Sequence, residues 1–250
     1  MLILMLYFEN SANIGMNGPM NVWFPGMPMA VHIVIWVLVL LAAYMIGGFN
    51  TAIMLSKKMY QEDVRDHGSG NAGFTNMMRT YGKKAAWLTM LGDFLKTVVA
   101  IMLGWFFLGY HGAFFAALAC IIGHIFPVMF KGKGGKGVMC FATTLLTLDF
   151  RVFLIEFILF VVIVLISKYI SLGSVIGAMT TPILFHRIGI MGQRFGIITL
   201  ALIAMALIIV IKHAPNLKRI SQGKESKFSF KKSKKKEETK EETEAKEGET

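Results

Sequence analysis

The chain has 250 residues, 55% hydrophobic and only 16% charged, with a net charge of +11. Ordinary soluble domains carry roughly 25% charged residues, so this shortfall, with a mean hydropathy of +0.59, excludes a water-soluble globule and indicates an integral membrane protein. Much of the positive charge falls after Ile211, so the chain is locally and not uniformly basic.

The amino terminus, "MLILMLYFENSANIG", has no basic region ahead of its apolar run, so no cleaved signal peptide is expected and residues 1–29 read as an extension. The first span is "AVHIVIWVLVLLAAYMIGGFNTAIML" (30–55). At about 1.5 Å per residue it crosses a hydrocarbon core of about 30 Å with some tilt. A polar stretch, 56–84, leads to two spans, 85–109 and 112–130, joined by the tight corner "YHG". The glycine–lysine loop "KGKGGKG" occupies 131–137. Residues 138–166 read either as one long helix or as two, "VMCFATTLLTL" and "VFLIEFILFVVIVLI", if the chain turns between Asp149 and Arg151. Two last spans lie near 169–185 and 195–211, which bounds a transmembrane domain at 30–222. The tail, 223–250, is too charged and too poor in apolar residues to bury a core, and is expected to be disordered. Cys120 and Cys140 sit in apolar segments without a CxxC spacing and read as buried free thiols.

Basic residues near span ends set the orientation. Lys57, Lys58, Arg65, Arg79, Lys83 and Lys84 put 56–84 inside; Lys131, Lys133 and Lys136 put the second loop on the same side. The lysine-rich tail belongs inside too, and only the split reading of 138–166 gives that parity. The expected fold is therefore all-α, with seven transmembrane helices, amino terminus outside and carboxyl terminus inside. Arg151, Arg187 and Arg194 fall on the outer side and count against it.

Three motifs then share the inner face. "GSGNAGFTN" has the G-x-G-x-x-G spacing of a dinucleotide loop, with Asp93 about twenty residues on. That reading fails, because the loop follows "KKMYQEDVRDH" and not an apolar strand, and Asp93 lies inside a membrane span. The loop retains anion-binding character through its glycines, Ser69, Asn71, Thr75, Asn76 and the guanidinium of Arg79. The second motif, "GHIFPVMFKGKGGKGV", is not a Walker A loop, but its lysines and glycines suit a backbone nest surrounded by charge. The third, "KHAPNLKRISQGKE", puts His213 and Asn216 at i, i+3 on one helical face, with Pro215 placed for a first turn. Asp93 and Lys96, also i, i+3, are ionisable residues inside an apolar span, which marks a functional or a structural ion pair.

Together these motifs resemble the bacterial acyl-phosphate-dependent glycerol-3-phosphate acyltransferases. Family members look like G-S-G-N-x-G-x-T-N-x-x-R, matched from Gly68 to Arg79, with D-x-x-K matched by Asp93 and Lys96. G-H-x-F-P followed by K-G-G-K-G is matched from Gly123 to Gly137, and a final H-x-x-N by His213 and Asn216, with Arg219, Gly223 and Glu225 after it. The resemblance covers about 40–225, in order. Phe74, Thr97 and Ala214 depart from it, where a small residue, a glycine and a basic residue are usual.

The resemblance implies acyl transfer from acyl phosphate to the 1-hydroxyl of glycerol 3-phosphate, giving lysophosphatidate and phosphate. It implies no cofactor or metal, no nucleic-acid partner, and a multi-pass place in the bacterial cytoplasmic membrane with the site facing the cytoplasm. It implies that Ser69, Asn71 and the backbone of Gly68 and Gly70 hold the acyl phosphate head, with Thr75 and Asn76 beside them. Lys133, Gly134, Gly135, Lys136 and Gly137 would neutralise the leaving phosphate. Arg79 and Lys136 would clamp glycerol 3-phosphate, and His213 and Asn216 would orient its hydroxyl. The proton acceptor is either His213 or the substrate's own phosphate. Asp93, Lys96, His124 and Glu225 read as supporting residues. A multispan transporter of an organic phosphate and an acyltransferase using a thioester donor are the alternatives.

Overall fold

The computed structural model describes residues 26–189 and 196–227, and their regular secondary structure is entirely helical. Apolar runs in lipid must satisfy their own backbone polar groups, and a helix does so within one segment. α1 (Met29–Gly48) has 20 residues, about 30 Å at the usual rise. The Asn50 side chain caps α2 (Thr51–Tyr60) by accepting from the Ile53 amide at 3.2 Å. The polar stretch that follows is a short turn of helix at Val64–Asp66, a loop, and α3 (Phe74–Tyr81).

α4 (Lys83–Ile125) is a hairpin of two arms, because Gly109 breaks the helix with φ 69 and ψ −158. The arms run antiparallel: a Cβ on Gly104 would strike Gly112, Cys120 Sγ reaches Thr97 Oγ1 at 3.9 Å, and Lys96 Nζ lies 2.8 Å from His124 Nδ1. The corner thus forms one residue before the expected "YHG". α1 runs parallel to the second arm, with Tyr44 against Gly123 and its hydroxyl donating to the Phe126 carbonyl.

Residues 138–166 form two helices, α5 (Val138–Leu148) and α6 (Phe150–Ser167). Asp149 between them is extended, and its carboxylate caps α6 at the Val152 amide. Arg151, awkward for the orientation rule, lies 3.7 Å from the Asp149 carboxylate, which offsets its charge. Tyr110, beside the hairpin corner, donates to the Leu148 carbonyl, so α5 ends on the face opposite the glycine loops. α7 (Ile170–Ile188) returns antiparallel to α6, with Gly173 against Phe160 and Val164. α8 (Ile197–Ser221) runs through Pro215 without a break, so that proline is interior and not in a first turn. The cost is one backbone bond, because proline has no N–H to donate.

The core joins Phe114, Phe185, Leu202 and Met205 across α4, α7 and α8. The outward faces carry Ile33, Val37, Leu91, Val99, Ile158 and Leu200, each more than half exposed. Such a belt has a favourable environment only in lipid. Cys120 and Cys140 are buried and free, as expected. Arg194, the residues before Gly26 and the tail from residue 228 lie outside the described residues.

Candidate active site

The first glycine loop is shaped from inside by Asn76, which is 1% exposed. Its amide oxygen accepts from the Ser69 N–H, and its amide nitrogen donates to the Val64 and His67 carbonyls, each at 2.9 Å. Gly68 and Gly70 supply the left-handed turns, at φ 58 and 70, that this path requires. Asn76 lines the cavity below but its bonds belong to the loop, so it scaffolds the loop more than it offers hydrogen bonds to a ligand. Ser69, Asn71, Thr75 and Arg79 also line that cavity. Phe74, the bulky departure from the family pattern, packs edge-on against Trp87 at 5.9 Å.

Arg65 ties this loop to the second one. Its guanidinium donates to the Phe130 and Lys133 carbonyls at 3.0 and 2.9 Å and pairs with Asp63 at 2.7 Å. Hydrogen bonds from Arg65 hold the Asp63 carboxyl down at about 2 despite partial burial.

The second loop does not form the expected anion nest over its whole length. The amides of Gly132, Lys133, Gly134 and Gly135 donate to the carbonyls of Pro127, Phe130, Ile125 and His124. Donors already used inside the loop cannot turn to an anion. Gly134 and Gly135 are required for packing: a Cβ on either would strike His124, at its carbonyl or at its ring Nε2. Lys133 is exposed and outside the cavity, whereas Lys136 and Gly137 line it. Burial pushes the Lys136 ammonium down to about 8, with nearby Arg219, Lys212 and Arg79 acting the same way and Glu225 opposing them.

Behind this loop lies an ionic cluster. Asp93 pairs with Lys96 at 2.7 Å, accepts from Thr51 Oγ1 at 3.1 Å, and has His124 Nδ1 at 3.6 Å. Lys96 also donates to the Phe49 carbonyl at 3.2 Å. Asp93 and His124 reach the cavity wall, while Lys96 stands behind it. Thr97 turns its hydroxyl to the Asp93 carbonyl at 2.7 Å. The cluster positions His124, and so the second loop, without needing to touch a ligand.

The third motif closes the site. Lys136 Nζ donates to Asn216 Oδ1, and Asn216 Nδ2 donates to Glu225 at 2.6 Å. Glu225 also accepts from Arg219 Nε at 2.7 Å and Ser171 Oγ at 3.0 Å. Gly223, at φ 66, turns the chain so that the Lys224 and Glu225 amides bond back to the Arg219 carbonyl. Burial would raise the Glu225 carboxyl, but its bonds from Asn216, Arg219 and Ser171 outweigh that and hold it below its usual range. His213 Nδ1 lies 2.8 Å from the Ile209 carbonyl. A carbonyl only accepts, so Nδ1 carries the proton and, in the neutral ring, Nε2 keeps its lone pair. Ala214, the third departure from the family pattern, is exposed.

All three motifs meet on one cavity of about 710 Å³. Its mouth carries Ser69, Asn71, Arg79, Lys136, His213 and Asn216, and its depth is walled by Phe141, Leu145, Phe153, Phe157 and Phe160. Of the expected site residues, Gly70, Lys133, Gly134, Gly135 and Lys96 are not on its wall. Sequence reasoning passed over Arg65, Ser171 and Glu156. Arg65 was read only as a topology charge, yet it is the staple between loops. Glu156 did carry a signal, being an acidic residue in an apolar span.

A polar, cationic mouth opening on an apolar tunnel suits a phosphorylated substrate with a fatty tail. The family model for glycerol-3-phosphate acyltransferase matches residues 37–223. The chain belongs to the glycerol-3-phosphate acyltransferase family. The glycerol-3-phosphate acyltransferase of Finegoldia magna is 40% identical over 187 residues, which cover 75% of this chain and 93% of that one. The enzyme of Thermoanaerobacter pseudethanolicus is 37% identical, over 78% of this chain and 96% of its own. Among solved structures, the glycerol 3-phosphate form of PlsY, an integral membrane glycerol 3-phosphate acyltransferase, matches with TM-score 0.70 and 27% identity, covering 78% of this chain and 96% of that one. The lysophosphatidic acid form matches with TM-score 0.68 and 26% identity. Membership of this acyltransferase family sets aside the transporter reading.

Proposed function

We propose that this chain acylates glycerol 3-phosphate at its 1-hydroxyl, taking the acyl group from acyl phosphate and releasing lysophosphatidate and phosphate. Family membership supports the acylation of glycerol 3-phosphate. The observation that carries the full reading is the single cavity joining a cationic polar mouth to an apolar tunnel. A doubly anionic soluble substrate and the head of a fatty donor can meet there while the acyl chain lies below.

In this reading the side chains of Ser69 and Asn71 hold the acyl phosphate head. The Ser69 and Gly70 amides are already bonded to Asn76 and the His67 carbonyl, so the expected role of the Gly70 backbone falls away. Arg79 and Lys136 bind glycerol 3-phosphate through its phosphate. Asn216, held by Lys136 and Glu225, orients the hydroxyl. That hydroxyl attacks the acyl carbonyl, the bond to the phosphate oxygen breaks, and the electron pair leaves with phosphate, whose growing charge Lys136 stabilises. An acyl phosphate is already activated, so no covalent enzyme intermediate is required. His213 Nε2 is free to take the hydroxyl proton. The bundle lies in the bacterial cytoplasmic membrane as residues 30–222, crossing seven times with its amino end outside and the site facing the cytoplasm. The lysine-rich loops and tail favour that side.

The test is purified protein given radiolabelled glycerol 3-phosphate with acyl phosphate, acyl-CoA or no donor. Product should form with acyl phosphate, and Ser69→Ala and Arg79→Ala should each lower kcat/KM by about 10²-fold. Product only with acyl-CoA overturns the donor, and full rates in both variants overturn the site. An intact rate in His213→Ala, with unchanged pH dependence, would assign the proton to the substrate's phosphate.

A further inference from the structure

Below its mouth, the cavity wall is interrupted by a carboxyl group. Glu156 on α6 lines the lumen, is 6% exposed, and accepts from Thr180 Oγ1 on α7 at 2.9 and 3.1 Å to its two oxygens. Among the described residues no lysine, arginine or histidine is paired with it. The helices meet closely here because Gly177 has no side chain, and a Cβ there would lie 3.3 Å from Glu156 Oε2. Glu156 lies outside the three motifs, and no step proposed above uses it.

Its depth follows from α7. Ser171 stands at the mouth, bonded to Glu225. Gly177 and Thr180 follow it on the same helix, roughly 9–14 Å further in at about 1.5 Å per residue. An extended acyl chain advances roughly 1.3 Å per carbon, given C–C bonds of about 1.5 Å. Glu156 therefore stands beside roughly the seventh to eleventh carbon below the mouth.

We propose that Glu156, held by Thr180, is an acyl-length filter that disfavours saturated chains running past it relative to chains ending above it. This rests on the reading that the acyl tail occupies this cavity. A methylene chain sliding past the carboxyl strips its water and offers no hydrogen bond in return, and such burial of a polar group is unfavourable. A chain ending above it leaves room for water on the carboxyl. A purely structural tie between α6 and α7 would change activity at every chain length alike.

The experiment measures kcat/KM for hexanoyl and palmitoyl donors in wild type, Glu156→Leu and Glu156→Gln, with the KM for glycerol 3-phosphate alongside. The palmitoyl-to-hexanoyl ratio should rise by about tenfold in Glu156→Leu and about threefold in Glu156→Gln, with the glycerol 3-phosphate KM unchanged. A ratio within about twofold of wild type in both variants overturns the filter, as does an equal fall at both lengths. If the leucine variant does not fold, the glutamine variant, which keeps the shape, decides. The ratio is read with whichever donor is active, acyl phosphate or acyl thioester. Failure of acyl phosphate therefore counts against the proposed donor and leaves the filter testable.

Discussion

The two glycine loops face one site but use glycine in different ways. In the first, Gly68 and Gly70 adopt backbone angles that other residues avoid, and Asn76 holds the resulting turn from beneath. Its polar side chains are left free for the cavity. In the second, Gly134 and Gly135 permit close approach to His124, and the amides from Gly132 to Gly135 are bonded to carbonyls of the loop and of the last turn of α4. Only its end, Lys136 and Gly137, reaches the cavity. A lysine–glycine pattern thus does not by itself identify an anion nest; which amides are already bonded decides.

The sharpest test of this division is Lys136. If the second loop acts through this ammonium, Lys136→Ala should lower kcat/KM by about 10³-fold, about 4 kcal/mol of lost charge stabilisation. The variant removes the charge and also strips Asn216 of its partner. Wild type should show a matching pH dependence. In the proposed mechanism the ammonium, held down at about 8, is the form that would bind the substrate's phosphate. Affinity for glycerol 3-phosphate should be full below about 8 and fall as pH rises through it. The bound phosphate favours the proton, so titration of the complex should lie higher. Initial rates across the alkaline range would show KM rising in wild type and no such limb in Lys136→Ala.

A smaller effect, and on stability, is expected from Gly135→Ala. The added methyl would meet the His124 ring and the Ala72 carbonyl. Neither yields easily, since one is backbone and the other is fixed beside Lys96 and Asp93. Overpacking of this kind costs about 1–3 kcal/mol, or about 2–4 °C in melting temperature per kcal/mol for a chain of this size. Thermal unfolding in detergent checks it. An unchanged melting temperature with lost activity would restore the nest reading, because then the glycine would matter to the ligand and not to the packing.

What the sequence made legible was local. The helical class, the hairpin near Gly109 and the break at Asp149 are written in apolar runs and in the residues that end them. The convergence of Ser69, Arg79, Lys136, His213 and Asn216 was legible because each belongs to a compact motif on one expected face. What was hidden depends on long-range contact. Asn76 looked like a ligand residue, and only its bonds to Val64, His67 and Ser69 show that it organises the loop. Arg65 looked like one basic residue among many until it reached carbonyls in the second loop. Glu156 was visible as an acid in an apolar span, but nothing local placed it in the tunnel beside Thr180.

The smallest expected effect completes the contrast between the loops. Lys133 and Lys136 are alike in the sequence, each a lysine beside glycine, and a nest would use both. In the structure Lys133 is exposed and its carbonyl, not its ammonium, is engaged, by Arg65. An exposed charge away from the ligand contributes only through the screened field, about 0–1 kcal/mol. Lys133→Ala should therefore change kcat/KM by about twofold at low salt and by less as salt is added. Arg65 would keep its grip, because alanine retains the carbonyl that it holds. Measured beside Lys136→Ala in the same membranes, a Lys133→Ala loss of comparable size would mean that the whole loop serves the anion, and the packing role assigned to its glycines would fall with it.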